Sequence, residues 1–134
     1  MEDFVTFEVA KKLEEKGYPQ HIAEDAYIVE NYGDDECSVG ERLPIPLVPY
    51  HMDDVAAPTV PQVLKWLRNV HHLHFEVVGT AYGYNLIISD TPNKGGTDRY
   101  YSHAKYDGPN DGGAWDEYED CVMYGIEYVL DNLI

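Results

Sequence analysis

Leu73-His74-Phe75-Glu76-Val77-Val78, then Gly79-Thr80-Ala81, then Tyr82-Gly83-Tyr84-Asn85-Leu86-Ile87-Ile88 is the stretch that decides the fold. Leu73, Phe75 and Val77 alternate with His72, His74, Glu76 and Val78. After the turn signal at 79–81, Tyr82, Tyr84, Leu86 and Ile88 alternate with Gly83, Asn85 and Ile87. Side chains two apart on a strand share a face, so each run offers one apolar face. The pair predicts an antiparallel hairpin. A third, tyrosine-rich strand is expected over Arg99–Tyr106, after a Gly- and Pro-marked loop at 91–98.

Helices are signalled on both sides of this sheet. Thr6 is a candidate N-cap, with Val5 placed to staple onto Ala10. Phe7, Ala10 and Leu13 share one helical face, and Gly17 with Pro19 ends the run, predicting a helix over about 6–16. Glu8 and Lys12 stand at a favourable i,i+4 spacing. Thr59 and Gln62 form a capping-box pattern, Pro61 suits a first turn, and Val60, Val63, Leu64 and Leu67 make the stripe of a helix over 60–70. Trp66 falls at the edge of that stripe and is expected to be half-buried. Asp116 and Glu119 suggest an acidic capping box for a last helix over 117–132. Its stripe is Tyr118, Val122, Gly125, Ile126, Val129 and Leu133. Gly125 inside it implies close approach by another element, since glycine there costs about 1 kcal/mol relative to alanine.

Residues 21–57 read as irregular, acidic and Pro-rich. Ala26–Tyr32 is a strand candidate, Glu36–Val39 a short return strand, and Leu43–Tyr50 an extended stretch whose prolines exclude a helix or a central strand. The sum is one α+β domain over 1–134: an antiparallel sheet with about three helices, two or more packed on one face.

Charge separates the function classes. The chain holds 25 acidic and 9 basic residues, formally −16. Residues 21–60 carry −8, residues 61–110 carry +1, and residues 111–134 carry −7 with no Lys or Arg. Such a field repels phosphate backbones and anionic lipid, so direct nucleic-acid or membrane binding is not expected. No apolar run approaches the roughly 18–20 residues a membrane helix needs. Met1-Glu2-Asp3 is acidic and lacks a signal-peptide core, and two cysteines make no disulfide framework. The expectation is a cytoplasmic protein.

Phe4-Val5-Thr6-Phe7-Glu8-Val9-Ala10-Lys11-Lys12-Leu13 resembles the opening of many small uncharacterised proteins. The block from Ala57 to Arg68 resembles them too, as do Tyr118-Glu119-Asp120 and the run from Tyr124 to Leu130. Those proteins look like prophage or mobile-element products of anaerobic gut bacteria, a family of unknown function. The shared motifs are caps and apolar stripes, so the resemblance implies origin and architecture and carries no site residue.

His72 and His74 at i, i+2 on a strand would point the same way and could grip one metal ion. Glu76 lies about 13 Å from His72 at ~3.3 Å per residue, too far for the same ion. His103 on a neighbouring strand is the candidate third ligand. Asp107-Gly108-Pro109-Asn110-Asp111-Gly112 hints at a calcium loop, but Pro109 and Tyr118 stand where the EF-hand needs Asp or Asn and Glu. It reads instead as a flexible turn-rich loop. Asn93-Lys94-Gly95-Gly96-Thr97 has the wrong order for a phosphate loop. Ser38, Ser89 and Ser102 sit in no nucleophile elbow, and Ser102 and His103 face opposite ways on a strand. Cys37 follows three acidic residues, which oppose a thiolate, and Cys121 reads as packing. No catalytic residue and no cofactor is expected. The leading expectation is a small acidic, non-catalytic accessory or interaction protein with a basic protein partner. The alternative is a metal-binding protein, or a small metal-dependent enzyme, using the His-rich strands.

Overall fold

The structure, a computed structural model, describes residues 4–20, 24–28, 39–44, 54–91, 99–101 and 107–134. The fold is α+β, with three helices and two antiparallel three-stranded sheets among the described residues. The chain divides into two compact units, Met1–Val60 and Pro61–Ile134.

In the first unit, α1 spans Phe7–Glu15. Thr6 is its N-cap: Val9 N–H donates to Thr6 Oγ1 at 3.2 Å, as the cap pattern requires. At the other end Gly17 takes φ +90°, where a Cβ would be strained. That turn lets Tyr18 N–H donate to Leu13 C=O and Gly17 N–H to Glu14 C=O, so two orphan carbonyls are satisfied. Glu8 pairs with Lys11 at 3.4 Å, one turn position short of the expected Lys12. Val9, Ala10 and Leu13 are buried, and α1 packs on β3.

The strands of this unit are β1 (Asp25–Ile28), β2 (Arg42–Pro44) and β3 (Asp54–Ala56), in the order β2-β1-β3. The return partner of β1 is thus Arg42–Pro44, and Val39 lies in a turn; Glu36–Cys37–Ser38 and residues 29–32 and 45–50 lie outside the described residues. Pro44 stands at the end of an edge strand, where its missing N–H interrupts no inner ladder. Arg42 clasps the edge: it meets Asp25 at 2.6 Å and stacks 3.6 Å from the Phe4 ring centre. Tyr27 donates its hydroxyl to Val5 C=O, which ties the chain before α1 to the central strand. Gln20 accepts from Ala56 N–H at 2.6 Å and covers part of the β3 edge.

In the second unit, α2 (Val60–Val70) begins directly after Thr59, with Val63 and Leu67 fully buried and Trp66 half-buried. β4 (Leu73–Thr80) and β5 (Gly83–Asp90) form the expected hairpin, joined through Ala81-Tyr82. β6 (Arg99–Tyr101) pairs with β5, giving the order β4-β5-β6. Residues 102–106, expected to continue that strand, lie outside the described residues. α3 (Tyr118–Asn132) packs across β4 and β5. Gly125 makes the close approach its place in the stripe implied. A Cβ there would stand 2.7 Å from the Phe75 ring and 3.0 Å from Leu86. Phe75, Val77, Leu86 and Ile88 share that face by register, and Leu86 and Ile88 are fully buried.

Candidate functional site

The densest polar construction in the second unit joins the hairpin tip, the loop before α3 and the start of α3. Asn110 is its centre. Its Nδ2 donates to Tyr82 C=O at 2.7 Å and to Asp116 Oδ1 at 3.0 Å. Its Oδ1 accepts from Gly112 N–H at 3.0 Å and Ala114 N–H at 2.9 Å. One amide therefore uses both donors and both lone pairs. The loop also closes on itself through Gly108 N–H to Gly113 C=O at 2.9 Å. Residues 107–113 are thus a hydrogen-bonded structure rather than the flexible loop expected. The acidic capping box does not form. Asp116 is taken by Asn110, the N-cap is Glu117, and its side chain makes no cap bond.

Trp115 fastens this loop to β5. Tyr84 N–H donates to Trp115 C=O at 2.7 Å, and Trp115 N–H to Tyr84 C=O at 3.0 Å. Trp115 is buried and packs on Tyr124, with ring centres 4.9 Å apart. Asp107 receives two phenols on one oxygen: Tyr101 donates to Oδ2 at 3.0 Å and Tyr124 at 3.1 Å. Burial, and then the bonds to Asp107 and Tyr124, push the Tyr101 phenol far above its ordinary range. The Tyr101 hydroxyl is thus engaged in holding β6 and α3 together and is held protonated.

The histidines are not arranged as the strand pattern suggested. His72 precedes β4 and takes φ +57°, so the rule that i and i+2 point alike does not relate it to His74. His74 is on β4, opposite Ser89. His103 lies outside the described residues, as do Cys37, Ser38, Ser102 and residues 92–98. Among the described residues no group of three His, Cys, Asp or Glu side chains is placed to hold a metal ion. Cys121 is fully buried, and burial pushes its thiol up to about 11, which keeps it protonated.

His71, which the sequence reading passed over, stands out instead. Its ring meets Trp66 edge-on, centres 4.7 Å apart, and its Nε2 is buried without a protein hydrogen-bond partner. Desolvation, then the neighbouring His72, lowers its pKa below the ordinary 6.5. The unfolded chain therefore binds a proton that the folded chain resists. Stability from this site is present above about pH 6.5 and falls as the pH drops through and below it. Replacing His71 by Gln should flatten the decline of melting temperature between pH 7 and 5. Parallel declines in parent and variant would assign the acid sensitivity elsewhere.

Carboxylates crowd the start and the length of α3. Asp116, Glu117, Asp120 and Asp131 are exposed, and Glu119 and Glu127 are half-exposed. Tyr82 and Tyr118 are 77% and 45% exposed at the same end of the unit, with Tyr118 set edge-on to Tyr84. Among the described residues no helix is long and apolar enough to cross a membrane. Comparison with protein-family models, with curated proteins and with solved structures finds no match to this chain.

Proposed function

We propose that the chain is a small acidic, non-catalytic accessory protein that works by binding a basic protein partner. The observation that carries this reading is the set of exposed and half-exposed carboxylates on and just before α3, in a segment with no Lys or Arg. Opposed charge raises encounter rates and fixes orientation, which suits binding by such a face. The tyrosine and cysteine environments support the non-catalytic part, because the perturbed groups are held protonated. The ends of the chain and α2 resemble prophage or mobile-element products, so we place the protein among their cytoplasmic accessory proteins.

Titration with a Lys-rich polypeptide at rising salt tests this directly. Binding should weaken as salt screens the face. Neutralising Glu117, Glu119 and Asp120 together, to Gln, Gln and Asn, should weaken it by about tenfold, or ~1.4 kcal/mol. Affinity indifferent to both salt and neutralisation would sink the reading.

A further inference from the structure

β4 is an edge strand of eight residues, and among the described residues nothing is hydrogen-bonded to the side facing away from β5. The ladder shows which groups point there. Tyr84 directs both its N–H and its C=O to Trp115, away from β4. The facing pair Gly79–Tyr84 therefore exchanges no bonds across the hairpin. Such pairs alternate along an antiparallel ladder. Phe75–Ile88 and Val77–Leu86 are then of the same kind, and the N–H and C=O groups of Phe75, Val77 and Gly79 point outward.

Sheet edges of this length are ordinarily guarded by proline, lysine, a bulge or a covering loop. Leu73–Thr80 contains no Pro, Lys or Arg. The register of the sheet shifts at Ile88 and Ser89, between β5 and β6, and β4 itself runs without a bulge. Its one charged residue is Glu76, which is exposed. Among the described residues the opposite edge, β6, spans Arg99–Tyr101.

We propose that β4 is a docking edge that receives an extended Lys- or Arg-rich segment of a partner protein as an added strand. The proposal rests on the basic-partner reading above and adds to it a second surface with its binding mode. Backbone bonds to Phe75, Val77 and Gly79 supply the strand pairing, and a cationic side chain set beside Glu76 supplies the charge match. Charge also selects against the other occupant, a second copy of this chain, because each copy carries −16.

The test uses the full chain and a capped heptapeptide, Lys-Val-Lys-Thr-Lys-Val-Lys, followed by amide hydrogen exchange. Exchange at Phe75, Val77 and Gly79 should slow when the peptide is added. The same peptide N-methylated throughout keeps its charge and loses its donors; it should bind at least about tenfold more weakly. Gly79→Pro removes one outward N–H without touching the β4–β5 bonds and should also weaken binding. If the methylated peptide binds equally well, or protection appears elsewhere, the edge proposal fails while the basic-partner reading stands. Failure of both peptides to bind overturns both. Protection of the three amides that grows with protein concentration alone would give the edge to a second copy and overturn the partner assignment.

Discussion

Gly83→Ala should lower stability by about 3 kcal/mol, and unfolding by denaturant would measure it. Gly83 has φ +124°, and a Cβ there would stand 2.5 Å from the Trp115 carbonyl oxygen. A non-glycine residue in such a conformation costs of order 1–3 kcal/mol. The clash is with backbone, so relief requires moving Trp115 away from Tyr84. That loosens two hydrogen bonds worth about 1 kcal/mol each. Gly79→Ala is the control: a Cβ there meets only the Tyr84 ring, at 3.7 Å. Equal losses in the two variants would mean that the hairpin resists any side chain and that the Trp115 bridge carries no special weight.

Leu86→Ala should cost about 2–5 kcal/mol. Leu86 is fully buried on the face of β5 that meets α3, and it approaches the backbone of α3 at Gly125. Truncation removes transfer free energy and leaves a void between a sheet and a helix that cannot both close on it. Against a typical total of roughly 5–15 kcal/mol, that is a large share. Near-UV circular dichroism with thermal melting should report an earlier, broader transition. A loss below about 1 kcal/mol would show that α3 collapses onto the sheet and closes the void.

Local signals were legible and long-range ones were not. Thr6, Gly17 and the stripe of α1 mark that helix within a residue at either end, because caps and periodicity act within one turn. Val60–Val70 and the hairpin were legible for the same reason. The stripe of α3 was displaced in part. Cys121 and Leu130 are buried while Tyr118 is 45% exposed, its ring set edge-on to Tyr84. The Asp116 cap failed because Asn110, six residues earlier, claims the carboxylate. No sequence pattern states that competition, although an asparagine amid glycines is a turn signal. Arg42–Pro44 pairs with β1 at the start of the stretch read only as extended, and there Arg42 meets Asp25 and Phe4, contacts that no local pattern states. The open side of β4 has no sequence signature, since strand order is a tertiary property.

The two-residue link between β4 and β5 also sets a clock. A hairpin joined so tightly zips in roughly 1–10 μs once its turn is made. The first unit must instead bring Ile28 to Asp54 across the intervening chain before β1 and β3 can pair. Closure entropy grows with the logarithm of that span, and the search it represents delays every contact that depends on it. The two halves of the chain are therefore expected to acquire structure at different times, the later half of the sequence first. Pulsed hydrogen exchange during refolding should protect Glu76 and Ile87 before Tyr27 and Val55; the reverse order would mean that closing the span between β1 and β3 does not limit the first unit.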